Sequence, residues 1–482
     1  MDVSASAALT DERLAAFRAE HDIPGVAYGL VHDGVLVHSG GAGEVVVGSG
    51  RAPGADDVFR IASMTKSFTA SAVLLLRDRG ALRLDDELSA YLPWTRGLAP
   101  ADGGPAITVR DLLSMNAGFP TDDPWGDRHE SLAIPEFDAL VEGGITFARP
   151  PRTGYEYSNL GYALLGRVVT VASGTDYRDF VARELLAPIG MTATRYDARE
   201  VPADLRVQGY APVEAGLVPE PLSVPGAFSA MGGLHSTVRD LALWVQAFLG
   251  SWRGEESHPL SRWSLREMQE QHSYISAAEV PGSDDVPARL VSASYGFGLV
   301  VEDDRRLGRV VSHSGGYPGF GSHMRWHPDS GWGVVVLGNR TYTPAHKIGL
   351  TLLASLVESD RAAHRPDPAA TVWPRVREAQ DVVDRLVDDW DDALADAWFA
   401  PNVDLDRPRA ERRAAVQAVR ARIGACTRSP RPLESSSPAQ LRWWLDGAEG
   451  TAYAEVLLSP DRVPLIQSLT VSTDPVPDST WD

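Results

Sequence analysis

The sequence has 482 residues and a net charge of −20, from 45 basic and 65 acidic side chains, and 44% of its residues are hydrophobic. This composition is typical of a globular protein with a large core, and the acidity argues against nucleic acid or an anionic membrane as a partner. The single cysteine, Cys426, excludes an intrachain disulfide and a zinc site built on a cysteine cluster.

The N-terminal segment has neither the basic region nor the long apolar region of a secretory signal. No run approaches the roughly 20 apolar residues of a membrane-spanning helix. We therefore expect a cytoplasmic protein, and its oligomeric state is left open.

The first predicted elements are a helix over Thr10–His21, with Thr10 as its N-cap, and a β-hairpin. The hairpin consists of Val26–Val31 and Val35–His38. The Asp33-Gly34 pair that joins them is a strong signal for a two-residue turn.

Helical patterns dominate the next part of the chain. They are predicted from Ser63 to Gly80, after Thr108 as far as Gly118, after Asn159, and over Thr237–Leu249.

The pattern then changes to short strands separated by turn residues, in YGFGLVVEDD, RVVSHSGG, GSHMRWHP and GWGVVVLGNR, and a helix over Pro344–Leu356 follows. The simplest assembly is an α+β fold in which the N-terminal hairpin and these later strands form one antiparallel sheet flanked by helices. We predict three parts: a main domain over residues 1–360, a Pro-rich linker over 361–374, and a small α+β domain over 375–482.

One chemically suggestive pair opens the helix near residue 63. Ser63 and Lys66 are three residues apart, so they share one face of a helix. A serine needs a base to become a nucleophile, and a buried lysine loses its proton more readily than an exposed one. The backbone N–H groups at the helix start favour a developing oxyanion.

Two further segments carry groups that suit the same chemistry. Tyr157 and Asn159 precede a helix: a tyrosine near a lysine can shift toward phenolate and act as a base, and an amide can hold a substrate carbonyl. His313 and Gly315 lie at a predicted strand edge, and the next backbone N–H, that of Gly316, can complete an oxyanion hole with that of Ser63.

In this order, S-x-x-K, Y-x-N and H-x-G resemble the motifs of the penicillin-binding-protein and class C β-lactamase family, and the resemblance covers roughly Leu9–Leu356. It implies the β-lactamase/transpeptidase fold, with a helical subdomain beside the sheet. It also implies that Ser63 forms an acyl-enzyme and that Lys66 and Tyr157 share the proton transfers, with Tyr157 protonating the leaving group. His313 is counted with these catalytic residues, and Asn159 and Gly315 are expected to bind the substrate. No cofactor and no metal are implied.

The third motif departs from the K-T-G of β-lactamases, because His313 stands where they usually carry a lysine. A neutral histidine does not supply the fixed cation that suits a substrate carboxylate. The departure favours esterases and D-amino-acid peptidases within the family over a dedicated β-lactamase.

Four aromatic residues are candidates for lining the acyl pocket: Phe119 and Trp125 in a loop after Gly118, and Tyr317 and Phe320 on the far side. His323 and His327 have the spacing of helical metal ligands, but their segment is predicted as a strand and carries no HExxH motif.

The sequence therefore predicts a serine hydrolase that acts on an ester or amide of a small molecule or peptide. Three alternatives remain: a thioesterase or cyclase of the penicillin-binding-protein type that releases nonribosomal peptides, a β-lactamase, and a non-catalytic binding protein on the same fold.

Overall fold

A computed structural model describes residues 3–98, 103–255, 258–280, 288–363 and 372–474. Within these ranges no helix combines the length and the hydropathy needed to cross a bilayer. The chain forms two units, residues 1–360 and 361–482. Residues 364–371, which hold most of the predicted linker, lie outside the described residues.

The first unit contains both strands and helices. Its strands, in chain order, are β1 (Gly25–His32), β2 (Val35–Gly43), β3 (Phe59–Arg60), β4 (Tyr210–Val213), β5 (Gly216–Pro219), β6 (His235–Ser236), β7 (Ser273–Val280), β8 (Arg289–Tyr295), β9 (Val300–Asp304), β10 (Gly308–Tyr317), β11 (Phe320–His327) and β12 (Trp332–Gly338). Its helices are α1 (Val3–Glu20), α2 (Thr65–Asp78), α3 (Leu88–Tyr91), α4 (Val109–Leu113), α5 (Asp123–Arg128), α6 (Ile134–Glu142), α7 (Asn159–Ser173), α8 (Tyr177–Val181), α9 (Ala187–Ile189), α10 (Ser229–Gly232), α11 (Val238–Arg253), α12 (Arg262–Met268) and α13 (Ala345–Ala363).

Eight of the strands form one antiparallel sheet in the order β2-β1-β12-β11-β10-β9-β8-β7. The N-terminal hairpin joins the later strands because β1 pairs with β12, from Val26 opposite Gly338 to His32 opposite Trp332. The predicted α+β class, with one sheet that combines the N-terminal hairpin and the later strands, is confirmed.

Helices cover both faces of this sheet. Along β12, Val335 and Leu337 belong to the core on the side of α2, α7 and α11, whereas Val334 and Val336 belong to the core under α1 and α13. Successive residues of a strand point to opposite faces, so a continuous apolar strand is what a sheet buried on both sides requires.

Several predicted boundaries are wrong. The helix expected from Thr108 to Gly118 ends at Leu113, and Met115 takes a positive φ of 56°. Strands β7 and β8 were not predicted, because β7 is largely exposed and rich in small residues, which weakens the alternation that marks a strand.

Over residues 372–474, the described part of the second unit contains four helices and a four-stranded antiparallel sheet in the order β13-β14-β15-β16. The elements are α14 (Pro374–Asp388), α15 (Asp392–Trp398), α16 (Pro401–Asp406), α17 (Arg409–Ile423), β13 (Cys426–Arg428), β14 (Gln440–Gly447), β15 (Gly450–Leu458) and β16 (Ile466–Ser472). The helices and one sheet face enclose an apolar core that includes Trp443.

Candidate active site

Ser63 lies in a tight 3₁₀ turn, Ala62–Met64, that leads directly into α2. Ala62 takes a positive φ of 46°, a conformation that costs a non-glycine residue energy and persists only where the surroundings enforce it. Strand β10 lies directly against this turn: a Cβ on Gly315 would lie 2.2 Å from the Ile61 carbonyl oxygen. Gly315 is therefore needed for space beside the turn that presents Ser63.

Lys66 is fully buried one turn after Ser63. Its Nζ lies 2.9 Å from Ser63 Oγ, 2.6 Å from Asn159 Oδ1 and 2.8 Å from the Met231 carbonyl oxygen. Burial lowers the pKa of Lys66 to about 8, and nearby carboxylates, led by Asp123, act in the opposite direction. Such an amine can exchange a proton with the serine hydroxyl near neutral pH.

Two aspartates at the start of α5 hold Asn159 in place. Asp122 accepts hydrogen bonds from the backbone N–H groups of Asn159 and Leu160 at 2.7 and 2.9 Å, and so completes the capping of α7 that its N-cap residue Ser158 begins. Asp123 accepts one from Asn159 Nδ2 at 2.9 Å, which leaves Asn159 Oδ1 directed at Lys66.

The ring of Tyr157 also lies close to Lys66: its centre is 4.8 Å from Lys66 Nζ. Burial, followed by the Asp123 carboxylate, raises the pKa of Tyr157 well above its usual value, and a hydrogen bond with Ser63 opposes the shift. The expectation that Lys66 shifts Tyr157 toward phenolate is therefore wrong for the resting site. Tyr157 is a neutral phenol, suited to donating a proton.

His313 is buried on β10 and neutral. Its Nδ1 donates to the Ser314 carbonyl oxygen at 2.6 Å, so Nε2 accepts from the Tyr295 hydroxyl at 3.2 Å. Burial, followed by the charge of Lys66, lowers the pKa of His313 to about 3. The residue at the third motif's lysine position thus supplies no cation.

The edge of β10 beside Ser63 extends past its neighbour. Strand β9 pairs with β10 only from Gly308 to Ser312, whereas β11 pairs with it as far as Tyr317. The backbone from His313 to Gly316 is consequently free of β9, in the place where an extended substrate and a carbonyl oxygen need N–H partners.

A cavity of 410 Å³ opens at this edge, and its walls include Ser63, Tyr157, His313 and Gly316. The structure thus brings four of the predicted site residues to one cavity, with Lys66 and Asn159 directly behind them. Further cavity residues, which the sequence analysis did not single out, are Asp123, Glu302, Ser312, Ser314, Arg325, Tyr342 and His346.

The four candidate pocket aromatics lie elsewhere. Phe119 packs against Phe147, and Trp125 against Phe228. The Tyr317 hydroxyl donates to Glu130 Oε2 at 2.9 Å, and Phe320 packs near Gly209. None of the four is part of the cavity wall.

The two histidines with metal-ligand spacing bind protein groups. His323 Nδ1 is 2.8 Å from Ser314 Oγ, and His327 Nε2 donates to the Leu307 carbonyl oxygen at 2.8 Å. Over the described ranges, no group of three or more His, Cys, Asp or Glu side chains is placed to hold a metal ion.

Arg325 is the most informative residue that sequence reasoning missed. It is opposite Ser312 in the β10–β11 register, and His323 is opposite Ser314, so these side chains share one sheet face. Its Nη2 pairs with Glu302, while Nε and Nη1 are buried with no partner among the described residues. An arginine between Met324 and Trp326 in a predicted strand is the signal that would have indicated it.

The model of the Beta-lactamase family matches residues 10–358 of the chain. The chain belongs to this family. The resemblance drawn from the three motifs is thereby confirmed, and the chain is a member of a family of serine hydrolases on the β-lactamase fold.

Curated relatives include Penicillin-binding protein 4 of Amycolatopsis lactamdurans, 30% identical over 68% of this chain and 84% of that protein. Penicillin-binding protein 4* of Bacillus subtilis is 29% identical over 59% of this chain, and the match spans 61% of its own length. The D-alanyl-D-alanine-carboxypeptidase/endopeptidase AmpH of Escherichia coli K12 is 27% identical over 62% of this chain and 75% of that protein.

Solved structures show the same fold. The octameric penicillin-binding protein homologue from Pyrococcus abyssi superposes with a TM-score of 0.63 and 22% identity, covering 97% of this chain and 100% of that one. A class C β-lactamase superposes with a TM-score of 0.59 and 18% identity, covering 74% of this chain and 98% of that one.

Proposed function

We propose that this protein hydrolyses an ester or amide through an acyl-enzyme on Ser63. The observation that carries the proposal is the placement of Lys66, buried with its amine 2.9 Å from Ser63 Oγ. With a pKa of about 8, roughly a tenth of the Lys66 amines are unprotonated at neutral pH, far more than for an exposed lysine.

The first half of the reaction uses this amine as the base. Lys66 takes the proton of Ser63 as Oγ attacks the substrate carbonyl carbon, and the negative charge moves to the carbonyl oxygen, which accepts from the N–H groups of Ser63 and Gly316. Tyr157, a neutral phenol, then protonates the leaving oxygen or nitrogen and is reprotonated from Lys66.

The second half releases the acyl group. A water molecule loses a proton to the basic group of the Lys66–Tyr157 pair and attacks the acyl carbon, and Ser63 leaves with that proton returned to it. The products are an acid and an alcohol or amine, and no cofactor enters the balance.

Arg325 supports a substrate that carries a carboxylate. The cavity has this guanidinium on its wall with two N–H groups unpartnered in the described structure, and Ser314 exposes a hydroxyl on the same face. A buried unpartnered donor is costly unless a ligand satisfies it, and guanidinium groups match carboxylates in shape and charge. We therefore propose peptidase activity on D-amino-acid peptides with a free C-terminus, the class named for the Escherichia coli relative.

The nucleophile is tested by intact mass after incubation with a fluorophosphonate and, separately, with a penicillin. The wild type should gain one adduct that is absent from Ser63→Ala. Ser314→Ala is the matched control, because Ser314 is an exposed serine of the same cavity and contacts His323. Retention of the adduct in Ser63→Ala, or a folded wild type without any adduct, would contradict the proposal.

The substrate class is tested with a D-Ala-D-Ala peptide and its C-terminal amide. The acid should be preferred, and Arg325→Gln should lower kcat/KM for the acid at least about tenfold while changing that for the amide little. Arg325→Lys, which keeps the charge, should recover part of the loss. Equal rates on acid and amide in the wild type would instead favour a neutral ester.

A further inference from the structure

Tyr342, which follows β12, has an unusual backbone. Its φ is +50°, a region that few non-glycine residues occupy, and its N–H donates to the Phe320 carbonyl oxygen at 3.1 Å. The residue is 48% exposed. A strained backbone conformation persists only when specific contacts hold the residue in place. The contacts of the Tyr342 side chain therefore indicate its role.

The ring of Tyr342 lies against Gly316. A Cβ placed on Gly316 would be 2.5 Å from Tyr342 Cδ1 and 3.0 Å from Cε1, so no side chain fits between the ring and the strand. Both residues are part of the wall of the cavity that contains Ser63. The tyrosine ring therefore occupies space directly beside the N–H group that would bind the substrate oxygen.

The far end of the ring is fixed to the opposite side of the site. The Tyr342 hydroxyl donates to Asp127 Oδ2 at 2.6 Å, and the Asp127 side chain is buried on α5. Helix α5 cannot shift freely, because a Cβ on Gly126 would lie 2.8 Å from Asn159 Cβ and Asp122 caps α7. Tyr342 thus connects the loop after β12 with the helix that positions Asn159.

We propose that Tyr342, held over Gly316 by Asp127, is a specificity-determining residue that limits the size of the substrate group beside Gly316. A bulky group there must displace the ring and break its hydrogen bond to a charged acceptor, and both costs apply to large substrates and not to small ones. The inference rests on the proposed acyl transfer at Ser63.

The test compares kcat/KM within two series of esters. One series lengthens the acyl group from acetyl to decanoyl on a p-nitrophenyl leaving group, and the other enlarges the leaving group on acetate. Tyr342→Gly adopts the positive φ without strain and removes the ring. In one of the two series, this variant should raise the ratio of kcat/KM for the largest substrate to kcat/KM for the smallest at least about tenfold.

Tyr342→Phe keeps the ring and removes its hydrogen bond to Asp127. Its ratio of kcat/KM for large and small substrates should therefore lie between those of the wild type and Tyr342→Gly. Tyr274→Phe is the matched control, since Tyr274 is an exposed tyrosine of β7, and its ratios should equal those of the wild type. Thermal unfolding checks that each variant is folded.

Unchanged ratios in both series for folded variants whose Ser63 still reacts with the fluorophosphonate would overturn the inference and leave the proposed function intact. A folded wild type that hydrolyses no ester and forms no adduct would overturn both, so the two failures are distinguishable.

Discussion

Lys66 and His313 are two nitrogen bases buried beside Ser63, and their surroundings shift their pKa values by different amounts. The Lys66 amine has three oxygen partners and nearby aspartates, so its pKa falls only to about 8. The partners of His313 are the Tyr295 hydroxyl and the Ser314 carbonyl oxygen. Burial and the charge of Lys66 both oppose protonation of His313, so its pKa falls to about 3.

Burial alone does not decide which group carries the proton chemistry. Desolvation is the largest cause of the pKa shift at both residues, and neighbouring charges act in opposite directions: aspartates led by Asp123 limit the fall at Lys66, whereas the charge of Lys66 deepens the fall at His313. Of the two nitrogen bases, Lys66 is therefore the one poised near neutral pH, and His313 contributes a neutral hydrogen-bonding ring in place of a cation.

The largest expected effect is the loss of the Lys66 amine. Lys66→Met should lower kcat/KM on an activated ester by about a thousandfold, because Ser63 loses its base. The chain has one other lysine, the exposed Lys347, and Lys347→Met is a matched control that should behave as the wild type. A fully active Lys66→Met would assign the base to another residue.

Removal of the Tyr157 hydroxyl should have the next largest effect. Tyr157→Phe should reduce kcat/KM about a hundredfold on amides, because a neutral phenol no longer protonates the leaving nitrogen. The loss should be smaller on p-nitrophenyl esters, whose leaving group needs no proton. Steady-state rates on the two substrates check this, and equal losses would argue against Tyr157 as the acid.

The carboxylate of Asp123 sharpens the comparison because it is the leading group that raises the pKa of Lys66. In Asp123→Asn this pKa should fall below about 8. Activity requires the unprotonated amine, so the rise of kcat/KM with pH should move to lower pH by about half a unit. Asp56→Asn, at an exposed ion pair with Arg239, should leave the profile in place. A shift to higher pH would contradict the assignment.

The smallest expected effect concerns stability at His313. The unfolded chain binds a proton on this residue below pH 6.5 and the folded chain only below about pH 3, so between these values its contribution to stability falls as the pH falls. His313→Asn should remove that dependence, and its unfolding free energy relative to wild type should rise by about 1 kcal/mol or more from pH 7 to pH 4.5. Denaturant unfolding at the two pH values checks it. A constant difference would mean that His313 titrates normally.

Local chemistry made part of the fold predictable. Asp33 and Gly34 both take positive φ, 49° and 81°, in the two-residue turn that their sequence predicts between β1 and β2. Thr108 and Thr237 cap α4 and α11 through the N–H of the third helical residue. In the second unit, the helical pattern of VREAQDVVDRLVDDWDDALADAWF predicts one continuous run, but the structure divides it into α14 and α15 because Asp391 caps a new helix.

The sequence by itself determined the pairing of Ser63 with Lys66, since three residues on a helix place two side chains on one face. Tertiary structure decided the rest of the site. Lys66 and Asn159 are 93 positions apart, and Asp127 and Tyr342 are 215 apart. No local pattern relates such residues, because their contacts depend on how the helices and the sheet pack together.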